Sequence, residues 1–323
     1  MRGCYSIRDA VVLPILQKRF FSVGLGALHC MIRREPPPSL LFAGPSPLLF
    51  GLDFSRRVAY NSRMAEIHPT AIIDPSAELA EDVKVGPYCV VGPHVRLGRG
   101  CVLHSHVVLG GPSTFGEGNV FYPFAVIGLQ SQDLKYKGEP TYLEVGDHNT
   151  FRENCNINRS TTPETKTVIG SHNNFLINSH CGHECVVGDH CIISGYAGIA
   201  GHCHIGDWAI VSGFAALHQF VRVGAHAMVG GCARVPMDVP PYTIIEGSPA
   251  VVRAINTIGL QRRGFSDEDI RALKFAYKKL FLNKGGNLQE ELAIVNADEQ
   301  YGNNPHVRHL VDFLQSSERG FIH

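Results

Sequence analysis

The chain has no Cys-x-x-Cys pair, carries charge on only 18% of its 323 residues, and holds near its start only a short apolar run, from Phe20 to Ile32. Each shortage closes a class of protein. Without closely paired cysteines, the ten Cys match no zinc module. A run of this length falls short of the ~20 apolar residues that span a bilayer, so no transmembrane segment is expected. Low charge beside 44% hydrophobic residues describes a buried, globular chain and excludes disorder. The formal net charge is zero, but unevenly spread. Residues 1–63 hold nine Lys/Arg against three Asp/Glu, which leaves 20 bases against 26 acids in the rest. That acidic remainder excludes a general nucleic-acid binder.

The basic segment has its own chemistry. Arg2, Arg8, Lys18, Arg19, Arg33, Arg34, Arg56, Arg57 and Arg63 are scattered among apolar residues with few acids, the pattern of an organelle transit peptide. Pro36, Pro37 and Pro38 rule out one continuous helix. Residues 1–63 are therefore expected to direct import into the mitochondrion, or alternatively the plastid, and to be removed. Met64 offers a second start.

From residue 64 onward a period of six organises the chain. Apolar residues recur at Ile67, Ile73, Leu79, Val85, Val91, Leu97, Leu103, Leu109, Phe115, Phe121 and Ile127, return at Val145, Phe151 and Ile157, and run again from Ile169 to Val235. Two positions before them the side chain is usually small, often Cys or Ala, and a Gly often follows, as at Gly86, Gly98 and Gly188. Six fits neither an isolated helix nor an alternating strand. It fits a hexapeptide solenoid, a left-handed parallel β-helix in which three hexads make an 18-residue triangular coil. The large residue fills a face, the small one, including most Cys, sits inside near a corner, and Gly is expected to relieve the turn. Two polar, Pro-containing stretches, residues 129–142 and 159–166, read as loops ejected from corners. Rigid scaffolds commonly carry function on such loops. The β-helix is expected over residues 64–255. A small helical domain follows over 256–323, with Ser266 and Asn287 as helix caps and a last helix around Leu310, Phe313 and Leu314.

Residues 18 apart stack at about 4.8 Å, the strand spacing. His183, Gly201 and Gln219 then form one column, with His218 and His202 in the columns on either side and His180 at the same face edge. None of His183, His202 and His218 occupies an interior hexad position, so they should line one outward strip. Exposed imidazoles can be inert, three together can bind zinc, or one can act as general base with Glu184 beside His183 to favour its basic form.

The stretches IHPTAIIDPSA, QDLKYKGEPT, NSHCGHECVVG, AGHCHIGD, ALHQF, GAHAMVGGC, DVPPY and GLQRRGFS make residues 66–323 resemble the bacterial UDP-N-acetylglucosamine O-acyltransferases that begin lipid A synthesis. The resemblance implies a homotrimer with clefts between subunits, moving an (R)-3-hydroxyacyl group from acyl carrier protein to the 3-hydroxyl of UDP-N-acetylglucosamine, with neither cofactor nor metal. It assigns the general base to His183, the oxyanion donor to the Gly201 N–H, and cleft positions to His180, His202, His218 and Gln219. Asp133 and Lys135 take the sugar-nucleotide and acyl contacts, Asn256 and Arg262 lie near the phosphates, and Gly231 sits at the acyl-length ruler, leaving room for a chain such as 3-hydroxymyristoyl. Glu184 departs from the bacterial Asp and Asn158 from the usual His. The basic N-terminal segment is foreign to the bacterial pattern and points to a plant-type, organelle-targeted homologue. Three rivals remain: the related N-acyltransferase, which has an extra N-terminal uridine-binding domain and no QDLKYKGEP loop; a gamma-class carbonic anhydrase; and a non-enzymatic scaffold subunit.

Overall fold

The computed structural model describes residues 65–283 and 287–323; the import signal expected over residues 1–63 lies outside them. Short strands repeat every six residues and pair in parallel with the strand one coil away, Val186 with His204 and His204 with Arg222, eighteen residues apart. Among the described residues they form three sheets, the faces of a prism. The first face contains Asn174–Phe175 and Met228–Val229, the second His180–Cys181 and Arg234–Val235, the third Val186–Val187 and Arg222–Val223. This is the left-handed parallel β-helix that the period predicts. The two polar stretches interrupt it as expected. Val120 pairs with Thr150, thirty residues on, and Thr150 with Asn174, twenty-four on, so the chain leaves the prism twice and returns in register.

The large hexad residue points inward at almost every coil, and Phe121, Ile157, Phe175, Ile193 and Val229 have no exposed surface. Phe121, Phe151 and Phe175 stack one coil apart, with ring centroids 5.0 and 5.4 Å apart. The cysteines behave as small buried hydrophobes. Cys89, Cys101, Cys155, Cys181, Cys185, Cys191 and Cys203 are free and buried, and burial pushes the Cys191 thiol up to about 12. Cys191→Ala should cost about 1 kcal/mol, typical of a small core truncation. It should lower the melting temperature without changing turnover per folded molecule.

Two features were not anticipated. Asn119, Asn149 and Asn173 occupy small-residue positions inside one corner and form a ladder: Asn119 Oδ1 accepts from the Asn149 N–H at 2.9 Å, and Asn149 Oδ1 from the Asn173 N–H at 2.8 Å. Each amide also donates to a glycine carbonyl, so these buried polar groups are satisfied. The role expected of glycine needs correcting as well. The corners are turned by residues with left-handed φ that mostly are not Gly, among them His148, Glu184, His202 and Phe220. Gly86 and Gly98 serve close coil approach instead. A Cβ at Gly98 would lie 2.5 Å from the Gly116 carbonyl oxygen of the next coil.

The solenoid closes with an antiparallel hairpin, Thr243–Gly247 with Ala250–Ile255, laid on the last strand of the first face. Four helices follow: α1 (Thr257–Arg262), α2 (Asp267–Leu282), α3 (Leu288–Ala297) and α4 (Pro305–Gln315). Ser266 caps α2 with a capping box closed by Asp269, and Asn287 caps α3. Leu273, Ala276, Leu292, Val307 and Leu310 form a second core among the helices. Among the described residues, no helix is long and apolar enough to cross a membrane.

Candidate active site

The corner between the second and third faces carries the histidine strip. Glu184 takes the left-handed turn conformation there, φ 52°, so that its carboxylate folds back on its neighbour. One oxygen, Oε2, meets His183 Nδ1 in a very short contact. The other, Oε1, accepts the backbone N–H groups of Thr161 and Thr162, each at 2.7 Å. The second ejected loop thus holds the carboxylate that orients the imidazole. Burial works against ionisation of Glu184, but the hydrogen bonds from Thr162, His183 and Thr161 outweigh it and hold the carboxyl below its ordinary value of 4.5.

The sign of the linkage follows. A depressed carboxyl contributes stability that is complete above its ordinary value and lost as pH falls through the depressed one. The gap in melting temperature between the wild type and Glu184→Gln should stay constant above pH 4.5 and narrow below it.

His183 itself corrects an expectation. Hexad phase places it on an outward strip, yet it is only 8% exposed. The first ejected loop covers it, bringing Asp133 Oδ2 to 3.8 Å from Nε2, and His202 packs edge-on at 5.1 Å between ring centroids. Gly201 supplies the floor: a Cβ there would lie 2.5 Å from His183 Cε1 and Nε2. No protein acceptor among the described residues takes the Gly201 N–H. Burial first, partly opposed by the Glu184 carboxylate, holds His202 below the ordinary imidazole value. His180 is lowered by burial and by nearby His183, and its Nδ1 lies 2.8 Å from Asn156 Oδ1. His202 stacks on Phe220 at 4.5 Å.

The remaining expected residues divide by corner. Lys135 is exposed on the covering loop, its N–H on Asp133 Oδ1 at 2.9 Å, and its charge reaches His202. His218 and Gln219 continue the strip and are exposed. His218 Nδ1 lies 2.8 Å from a guanidinium nitrogen of Arg319 and 3.1 Å from the Gln219 carbonyl. Arginine only donates, so the Arg319 contact assigns Nδ1 as an acceptor and leaves the carbonyl contact without a proton.

Gly231, Asn256 and Arg262 do not join His183 within one chain. Gly231 lies at the corner between the first and second faces, beside Cys232, which takes the left-handed turn conformation. Asn256 is buried at the corner between the third and first faces, where it donates to the His226 carbonyl at 3.0 Å and caps α1. Arg262 ends that helix beside Arg263, whose guanidinium lies 5.2 Å over Trp208. Asn158 is buried and donates to the Gln130 carbonyl, bracing the first loop.

His183, Glu184 and His202 present ligand atoms within 4.8 Å of one another, close enough for a cation. However, Glu184 is already engaged on both oxygens, one of them with His183 Nδ1. The donor set therefore suits a carboxylate–imidazole pair with Nε2 on the Asp133 side better than a metal centre.

A solenoid of hexads with an oriented imidazole at one corner defines a hexapeptide-repeat transferase. Residues 64–99 and 76–111 match the model of the bacterial transferase hexapeptide (six repeats), and residues 238–322 match that of the Udp N-acetylglucosamine O-acyltransferase, Domain 2. The chain is 61% identical over 260 residues to the acyl-[acyl-carrier-protein]–UDP-N-acetylglucosamine O-acyltransferase of Akkermansia muciniphila, across 80% of this chain and 100% of the relative. It is 43% identical to that of Thermodesulfovibrio yellowstonii, across 80% and 99%. The solved UDP-N-acetylglucosamine acyltransferase of Bacteroides fragilis superposes with a TM-score of 0.76 at 37% identity, covering 80% of this chain and 100% of that one. The Arabidopsis UDP-N-acetylglucosamine acyltransferase superposes with a TM-score of 0.72 at 32% identity, with the same coverage. The chain belongs to the UDP-N-acetylglucosamine O-acyltransferase family.

Proposed function

We propose that this protein transfers an (R)-3-hydroxyacyl group from acyl carrier protein to the 3-hydroxyl of UDP-N-acetylglucosamine, the first step of lipid A synthesis. The observation that carries the chemistry is the His183–Glu184 pair, with Nδ1 on a loop-held carboxylate and Nε2 under Asp133. A sugar hydroxyl is too weak an acid to attack a thioester unaided. His183 Nε2 takes its proton as the oxygen attacks the thioester carbonyl. The Gly201 N–H, which has no acceptor among the described residues, stabilises the oxyanion. Collapse expels the carrier thiolate, which recovers the proton from His183. The ester forms as the thioester breaks, and no covalent enzyme intermediate, cofactor or metal is required.

The working form is a homotrimer. A cleft that uses His183 together with Asn256 and Arg262 needs two chains, because those residues occupy different corners of one prism. His180, His202, His218, Gln219, Asp133 and Lys135 line the cleft from one subunit, Asn256 and Arg262 reach it from the next, and Gly231 bounds a long acyl chain such as 3-hydroxymyristoyl. Residues 1–63 direct this enzyme into an organelle, most simply the mitochondrion. Their Arg-rich, acid-poor composition supports that, as do bacterial relatives that match over their whole length while covering 80% of this chain. A fluorescent fusion of residues 1–63 should co-localise with a mitochondrial marker; a cytosolic signal would refute import. Turnover is tested with UDP-N-acetylglucosamine and 3-hydroxyacyl carrier proteins of graded chain length. Carrier thiol should be released only when the sugar nucleotide is present, with one preferred length. Thiol release independent of the sugar nucleotide would contradict the proposal.

A further inference from the structure

Arg159 is only 9% exposed, yet none of the ion pairs among the described residues includes it. A buried cation without a carboxylate is costly and persists only where oxygen acceptors replace its water. Here those acceptors come from both sides of the first ejected loop. The guanidinium Nη1 donates to the carbonyls of Gly111 and Gly128 on neighbouring coils, the latter at 3.1 Å, and Nη2 reaches the Tyr136 hydroxyl within the loop at 3.4 Å. The Arg159 backbone N–H donates to the Leu129 carbonyl, where that loop leaves the prism, at 2.9 Å. Arg159 also stands at the root of the second loop, two residues before the Thr161 N–H that holds Glu184. A hydroxyl pair, Ser131 with Thr161 at 2.5 Å, joins the two loops beside it.

We infer that Arg159 is the positioning residue that sets both loops against the base. Through the second loop it fixes Glu184 and so the orientation of His183, and through the first it holds Asp133 over the Nε2 side of the imidazole. This role rests on the reading of His183 as general base. It asks nothing of substrate contact, since both terminal guanidinium nitrogens are engaged by protein oxygens and Nε is buried without a partner. Side chains differ in whether they can replace it. Lysine keeps the charge but lacks the flat fork that serves two carbonyls and a hydroxyl together.

The wall of an existing cavity supplies the test. Arg159 lines a space of about 320 Å³ together with Val90, Val108, Leu129 and Gln130. Arg159→Ala frees, beside this space, the place between the Gly111 and Gly128 carbonyls that the side chain filled, and free guanidinium can enter it. In the full chain, Arg159→Ala should lower kcat by about 10–100-fold, the scale of a mis-set catalytic group, and raise KM for UDP-N-acetylglucosamine. Low-millimolar guanidinium chloride should restore most of that kcat and leave wild type and Glu184→Gln unchanged. The double variant Arg159→Ala/Glu184→Gln should lose little more kcat than Glu184→Gln alone, because both act through the same imidazole. Unchanged kcat in Arg159→Ala, or losses that add and resist guanidinium, would overturn the inference and leave Arg159 a fold residue. Should Arg159→Ala not fold, the same cycle is run with Arg159→Lys, where additive losses again overturn it. Failure of the base reading shows separately, as turnover retained in His183→Ala.

Discussion

His183→Ala should lower turnover by roughly 10²–10⁴, the usual worth of a general base, in a solenoid that stays assembled. The fold survives because His183 belongs to no part of the hydrophobic core; its burial comes from loop cover at a corner. What is lost is an imidazole whose Nδ1 is occupied by an oriented carboxylate and whose Nε2 is the proposed proton acceptor. Glu184 keeps its two backbone donors in the variant, so its charge is not stranded. The check is kcat beside a melting curve. Near-normal turnover in a folded protein would remove His183 from the mechanism and move the test to His202 or His218.

A single methyl group should do nearly as much. At Gly201 a Cβ would stand 2.5 Å from His183 Cε1 and Nε2, closer than any packed carbon tolerates. Backbone strain is not the cause: the positions one coil below and above are His183 and Gln219, so this column accepts side chains. Gly201→Ala must therefore push the imidazole off its floor by a sizeable fraction of an ångström. It also crowds the Gly201 N–H proposed as the oxyanion donor. Misplacement on the order of 1 Å costs about 10²-fold. Turnover should fall by about that factor while the melting temperature changes little. Turnover unaltered by the methyl would mean that the ring is not working from this position.

The solenoid was legible because each hexad repeats the same burial problem, and one apolar residue in six declares it. The histidine strip was legible from the 18-residue column. Its exposure was not, since hexad phase describes the prism alone and His183 is covered by Asp133 on a loop outside that period. The same limit hid the carboxylate's support. Thr161 and Thr162 hold Glu184 through backbone N–H groups, which leave no trace in residue type. Arg159 passed unnoticed as one base in a polar stretch, and Asn119, Asn149 and Asn173 as polar residues at small positions. One separation was open to phase counting. Gly231 follows His183 by 48 residues, two full coils and two further hexads, which puts it at another corner. The corners of Asn256 and Arg262 required the hairpin, Thr243–Gly247 with Ala250–Ile255, where the period has ended.

The identity of the acylated atom bears most directly on the chemistry assigned to this corner. Purified protein is incubated with UDP-N-acetylglucosamine and a 3-hydroxyacyl carrier protein, and the product is examined by mass spectrometry and NMR. The expected product carries one ester at the 3-oxygen of the glucosamine, formed in step with carrier thiol release and made roughly 10²–10⁴ times more slowly by His183→Ala. Free hydroxy acid alone, an acyl group at another position, or undiminished product from His183→Ala would contradict it.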